Sequence, residues 1–273
     1  MIHFLYEERI KKTFWFVNGK EVFSLIQVDD RLINGIPVLE VVSSSIAEEM
    51  LPTFVFFHGV TSAREHNLHV AYHAANQGYR VILPDALAHG VRETETLTNE
   101  YIGKHFWRIV LTSIAELKQL RAVYIDEGRS KEDHWLVGGT SMGAITTLGA
   151  LTQYKWISAA ASFMGSPSYV DFANGLLNSI GRENIGIAQK EIDAMLQKLD
   201  GYDLTRHPEK QEDRPLFFWH GSNDQVVPIQ YAKTYHTSHP EHTVWIEEAD
   251  TGHKVSRTGL MAFLQWNQQV LPI

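Results

Sequence analysis

Six short apolar runs, spaced along the chain with longer amphipathic stretches between most of them, limit what this sequence can fold into. They are TFVFFHG (53–59), YRVILPD (79–85), HWLVGGT (134–140), AASFMGS (160–166), PLFFWHG (215–221) and TVWIEEA (243–249). Each is brief and rich in β-branched or aromatic residues, and most end at Gly, Pro or Asp, which marks strands. Their apolarity is nearly continuous rather than alternating, as expected of strands buried on both faces of a parallel sheet. Helical patterns occupy 65–77, 101–127, 142–153, 228–238 and 255–270. Strand alternating with helix implies βαβ units, right-handed crossovers and a doubly wound, mostly parallel α/β sheet.

Two regions depart from the alternation. Near the N-terminus, TFWFVNGKEVFSLIQV predicts a hairpin turning at Asn18-Gly19, and IPVLEVVSS predicts a further strand. An antiparallel edge is therefore expected ahead of the parallel core. Between Ser166 and Asp213 no strand is legible, and the stretch is too long for a simple connection. Within it, AQKEIDAMLQKL places Ile192, Met195, Leu196 and Leu199 on one helical stripe. The expectation is a single domain over 1–273 that carries a helical, cap-like insertion at 166–213, with the stripe roofing the pocket mouth.

The chain has 273 residues, 44% of them hydrophobic, enough for one full core. Its formal net charge of −8 gives no electrostatic footprint for nucleic acid. With no cysteine, disulfides, Cys-based zinc sites and a thiol nucleophile are excluded. The fourteen histidines are dispersed, with no HExxH pair, and no metal site is expected. The opening MIHFLYEERIKK does not have the form of a secretory signal, and no stretch approaches the length of a membrane span. The expectation is a cytoplasmic protein without membrane or nucleic-acid partners.

The chemistry is concentrated in VGGTSMGAITT, residues 137–147. By chance a Gly-x-Ser-x-Gly pattern arises about 0.1 times in a chain this long. Here it also follows a strand and opens a helix, the setting in which two glycines clear space for a serine held on a strained turn. Ser141 is the candidate nucleophile. A serine hydroxyl needs a base, and the base needs an orienting acid. In such folds these groups lie beyond the carboxyl ends of later strands. Asp224 follows PLFFWHG, His253 follows TVWIEEA, and the order Ser141, Asp224, His253 suits the architecture. Asp171 and Asp250 are alternative acids. His236, His239 and His242 precede the last strand and read as solvent-facing. For the oxyanion, backbone N–H groups of Met142, at a helix N-terminus, and of Val60, after TFVFFHG, are the expected donors. His58 reads as a structural histidine at a strand end, as does His220 in the parallel WHG.

With these motifs in order, the chain resembles the α/β-hydrolase superfamily, in its dienelactone hydrolase and prolyl-oligopeptidase-like branch, and is most similar there to small bacterial serine carboxylesterases. The resemblance covers roughly residues 50–270 and rests on FFHGVTS, VILPDALAHG, GGTSMGA, RPLFFWHGSNDQVVP and the final GHK. It implies the same roles for Ser141, Asp224, His253, Val60 and Met142, and at His89 and Gly90 a loop whose role is usually structural, though it can border the pocket. Dienelactone hydrolases proper carry a cysteine nucleophile, which this chain lacks, and there is no room for the propeller of the large peptidases.

The function expected is cofactor-free hydrolysis of a small-molecule, short-chain carboxylic ester through an acyl-enzyme, with acyl chains of about two to six carbons favoured if the insertion shortens the cleft. The alternatives are an acyl-peptide or small-peptide hydrolase using the same triad, and a non-catalytic ligand-binding protein of the same fold.

Overall fold

The structure is a computed structural model that describes residues 15–17, 20–22, 25–181 and 186–271. Strands β1 (Trp15–Val17) and β2 (Lys20–Val22) pair antiparallel as a separate two-stranded ribbon. The turn expected at Asn18-Gly19 lies outside the described residues.

The main sheet has eight strands: β3 (Ile26–Ile33), β4 (Ile36–Ser43), β5 (Leu51–Phe57), β6 (Arg80–Pro84), β7 (Ser130–Thr140), β8 (Ala159–Phe163), β9 (Leu216–Gly221) and β10 (Thr243–Glu248). Their spatial order is β10-β9-β8-β7-β5-β6-β4-β3. From β6 to β10 every pairing is parallel, while β4 runs antiparallel to both β6 and β3. The antiparallel edge is present, but the hairpin in this sheet is β3–β4. It turns at Asn34-Gly35, whose φ values of 50° and 82° suit a type I′ turn. The further strand expected at IPVLEVVSS is β4, the second arm of this hairpin.

Both faces of the sheet are covered, as the continuous apolarity of the strands demands. Side chains alternate along β5, so Val55 and Phe57 join one core while Phe54 and Phe56 join the other. Helices α2 (Asn99–Asp126) and α3 (Met142–Gln153) pack on the first face, and α1 (Leu68–Asn76) and α7 (Arg257–Val270) on the second. Helix α6 (Ile229–Ser238) joins β9 to β10.

Between β8 and β9 lie two helices, α4 (Tyr169–Ile180) and α5 (Gln189–Asp200), with no strand among the described residues there. A buried carboxylate joins them. Asp203, just beyond α5, accepts from the Val170 N–H in the first turn of α4 at 2.9 Å and from the Thr205 N–H at 2.9 Å. The negative charge also suits the positive end of the α4 dipole.

Candidate active site

Strands β5, β7, β9 and β10 all end on the same side of the sheet, and four loops meet there. At the end of β7, Ser141 adopts φ 56° and ψ −116°, a strained left-handed conformation for a residue with a side chain. The backbone is held there from two sides. The Ser141 N–H donates to the Phe163 carbonyl at 2.8 Å. A Cβ on Gly139 would collide with the Gly143 carbonyl, and one on Gly143 with the Phe57 carbonyl. Only glycine at both positions lets β7 fold straight into α3 beside β5.

The His253 Nε2 lies 2.8 Å from the Ser141 Oγ, and its Nδ1 lies 2.7 Å from Asp224 Oδ2. Three groups from three loops are thus brought into one hydrogen-bonded chain. Asp224 Oδ1 accepts from the Val226 and Val227 N–H groups at 2.8 and 3.0 Å. Burial alone would raise the Asp224 pKa. The His253 bond and the two backbone donors outweigh it, and the carboxyl is held below its ordinary value.

The alternative carboxylates lie elsewhere. Asp171 sits in the first turn of α4 and accepts from the Ser168 hydroxyl at 3.1 Å. Asp250 occupies a positive-φ turn, and its backbone N–H donates to the Ser222 hydroxyl at 3.1 Å. His236, His239 and His242 cluster where α6 leads into the start of β10, at the opposite end of the strands from Ser141.

Two residues that the sequence reading did not connect with the site hold its loops. His220, buried at the end of β9, donates from Nε2 to the Val227 carbonyl at 2.9 Å, and the same nitrogen lies 3.3 Å from Asp224 Oδ2. It therefore anchors the turn whose N–H groups serve Asp224. Burial lowers the His220 pKa and keeps the ring neutral. Glu248, the last residue of β10, accepts from the Thr251 and Ser256 hydroxyls at 3.4 and 2.5 Å, one on either side of His253, and from the Trp219 indole at 3.2 Å. A Cβ on Gly221 would strike the Thr251 carbonyl, so glycine allows the acid-bearing and histidine-bearing loops to touch.

Val60 lines the same cavity as Ser141, and Met142 is the first residue of α3. Neither backbone N–H has a hydrogen-bond acceptor among the described residues. The Val60 loop is braced by His58, whose ring bonds at both nitrogens, from Nδ1 to the Gly59 carbonyl at 2.8 Å and at Nε2 from the Ala86 N–H at 3.0 Å. This pattern requires the neutral ring. Burial is the largest cause lowering the His58 pKa to about 4, against 6.5 for an ordinary imidazole. His89 is buried behind it, its ring 5.2 Å from that of His58, and neither His89 nor Gly90 lines the cavity.

The His58 environment sets a pH dependence of stability. Between pH 6.5 and pH 4 the unfolded chain binds a proton that the folded chain excludes, so stability is full above that window and falls as pH drops through it. For His58 alone the loss by pH 4 is about 3 kcal/mol, or several degrees in Tm. Thermal unfolding from pH 7 to pH 4.5 should show a steep decline in wild type and a shallower one in His58→Gln. Equal slopes for the two proteins would show that His58 does not carry the effect.

A cavity of ≈ 320 Å³ opens from Ser141 between α2, α4 and α5. From the predicted stripe on α5, Ile192, Met195 and Leu196 line it. Leu199 does not: it is fully buried in the core beyond the cavity. The contribution of α2, through Ile102, Phe106 and Trp107, was hidden in the sequence because an apolar stripe on a long helix reads equally well as core.

No protein-family model matches the chain. It is 39% identical over 256 residues to the "Putative esterase YitV" of Bacillus subtilis (strain 168), covering 90% of this chain and 100% of that protein. It is 35% identical over 204 residues to esterase YjfP of Escherichia coli (strain K12), covering 75% of this chain and 81% of that one. Among solved structures it superposes on TT1662 from Thermus thermophilus with a TM-score of 0.71 and 18% identity, covering 91% and 99% of the two chains. It superposes on acetyl xylan esterase 1 from Thermoanaerobacterium sp. JW/SL YS485 with a TM-score of 0.63 and 17% identity, covering 96% and 87%.

Proposed function

Because the chain belongs to the esterase family that includes YitV and YjfP and is with them an ester hydrolase, we propose that it is a serine carboxylesterase of short-chain esters in the dienelactone hydrolase and prolyl-oligopeptidase-like branch of the α/β-hydrolases. The observation that carries this reading is the continuous chain from Ser141 Oγ through His253 to Asp224, with links of 2.8 and 2.7 Å.

In this reading His253 Nε2 takes the Ser141 proton as Oγ attacks the ester carbonyl. Asp224 accepts from Nδ1–H, fixes the tautomer and stabilises the imidazolium that forms. The carbonyl oxygen, now negative, is held by the Val60 and Met142 N–H groups, the latter aided by the positive end of α3. Collapse of the tetrahedral intermediate expels the alcohol, which takes its proton from His253. Water activated by the same histidine then releases the acid from the acyl-enzyme. His220 and Glu248 keep the acid-bearing and histidine-bearing loops in register. Residues 166–213 act as a cap-like insertion within one domain spanning 1–273. The enzyme acts on a small molecule in the cytoplasm, without nucleic-acid or membrane partners. No helix among the described residues is long and apolar enough to cross a membrane.

The test is labelling by a fluorophosphonate, which reacts with an activated serine. Folded wild-type protein should be labelled at Ser141, and Ser141→Ala should not. Absence of labelling in folded wild type, or equal labelling of the variant, would remove the serine mechanism.

A further inference from the structure

The walls of the cavity have a composition that the triad does not require. Phe106 and Trp107 from α2 and Phe172 from α4 all line it. Their rings meet edge to face: Phe106 and Trp107 at 5.2 Å and 85°, Phe106 and Phe172 at 6.3 Å and 63°, Trp107 and Phe172 at 6.2 Å and 81°. Met195 of α5 adds a polarisable thioether to the same enclosure. Ser141 and Ile145, one helical turn further on, line it too.

Ionisable groups are scarce on this lining and already engaged. Lys104 is paired with Glu100 at 2.7 Å, and Glu191 accepts from the Ala188 N–H at 3.3 Å. No arginine is among the lining residues, and Lys104, the one cation there, is shared with Glu100, so a carboxylate entering this mostly apolar cavity would lose its water for a single, already paired partner.

We propose that this cavity receives an uncharged, ring-bearing substituent of the ester, a phenyl-sized group on a short tether. The inference rests on the serine-esterase reading and narrows it: the preferred substrates are short and broad rather than long and thin. Size agrees with this. An apolar cavity of about 150 Å³ takes up a benzene, and this one measures ≈ 320 Å³. A phenyl ring on a two-carbon tether fits within that, with its ring against three others. Each aromatic contact adds roughly two- to tenfold in binding beyond simple burial. A flexible alkyl chain of similar size makes no such contacts and loses more torsional freedom on confinement.

Turnover is measured by acid release from esters without a chromogenic leaving group. The panel is methyl 3-phenylpropanoate, 2-phenylethyl acetate, methyl hexanoate, methyl octanoate and the monomethyl ester of adipic acid. One of the two phenyl esters should exceed both alkyl esters by about tenfold in kcat/KM, and which one wins assigns the ring to the acid or the alcohol side. The charged monoester should fall at least about tenfold below methyl hexanoate. In Trp107→Leu and Phe172→Leu the ratio of the better phenyl ester to methyl hexanoate should collapse toward one. Alkyl esters equal to or better than both phenyl esters, or a ratio unchanged in both variants, would overturn the proposal.

Binding is read independently of turnover. Folded Ser141→Ala, titrated calorimetrically, should bind 4-phenyl-2-butanone about tenfold more tightly than 2-octanone. Preference for the alkyl ketone, or binding of neither, overturns the cavity assignment. Preference for the phenyl ketone together with failure of fluorophosphonate labelling overturns only the serine reading.

Discussion

Ser141→Ala is expected to lower kcat/KM for a short-chain ester by about 10⁴-fold or more, with the fold intact. The loss is large because, among the described residues, the two ring nitrogens of His253 are committed to Ser141 and Asp224 and bond no other hydroxyl. Residual activity would come only from substrate binding and the proposed oxyanion donors, the Val60 and Met142 N–H groups. Stability should change little. Alanine has the same Cβ as serine, so the strained φ of 56° costs no more than before. One part-buried hydrogen bond, to His253, is lost, worth about 1 kcal/mol. The checks are initial rates with p-nitrophenyl butanoate beside a thermal melt. Activity above a few per cent of wild type in a well-folded variant would exclude Ser141 as the nucleophile.

Asp224→Asn is expected to cost nearly as much, about 10⁴-fold in kcat, for a reason of proton placement rather than shape. Asp224 Oδ1 takes two backbone N–H groups, so an amide at this position keeps its oxygen there. Its NH₂ then occupies the place of Oδ2, facing His253 Nδ1. That nitrogen must become an acceptor, which moves the ring proton to Nε2 and directs it at Ser141 Oγ. The histidine can then no longer take the serine proton. The NH₂ also lies against the His220 Nε2, now 3.3 Å from Oδ2, which adds strain at the acid loop. Asp171→Asn serves as the comparison. Its carboxylate accepts from Ser168 in α4, and its loss should affect the insertion more than the chemistry. A larger loss of kcat in Asp171→Asn than in Asp224→Asn would place the acid on α4 instead.

The strands and most helices were legible in the sequence because their signals are local. A run such as TFVFFHG is apolar at every position because both faces of β5 are covered, and that requirement appears in the residues themselves. The turn at Asn34-Gly35 was equally local and was overlooked in favour of a similar dipeptide upstream. The spacing of Gly139, Ser141 and Gly143 reports a steric fact about a few consecutive residues, so the strained turn could be read before any coordinates. Likewise, chain order was enough to nominate Asp224 and His253.

Other features depended on residues far apart in the chain. Choosing among Asp224, Asp171 and Asp250 as the partner of His253 required the assembled sheet, since in the sequence all three stand a few residues beyond an apolar strand run. The roles of His220 and Glu248 depend on which loops they face across β9 and β10. The stripe on α5 was visible as a stripe, yet only packing separates Met195 in the cavity wall from Leu199 in the core. Hydrophobic periodicity records that a side chain leaves water, whereas a cavity and a core offer it nearly the same environment. The sequence by itself thus determined the layered α/β fold, the strained serine and the order of its candidate partners. The tertiary structure decided the hydrogen-bonded pairing and the aromatic cavity, because both arise from contacts between segments that nothing in their local sequence brings together.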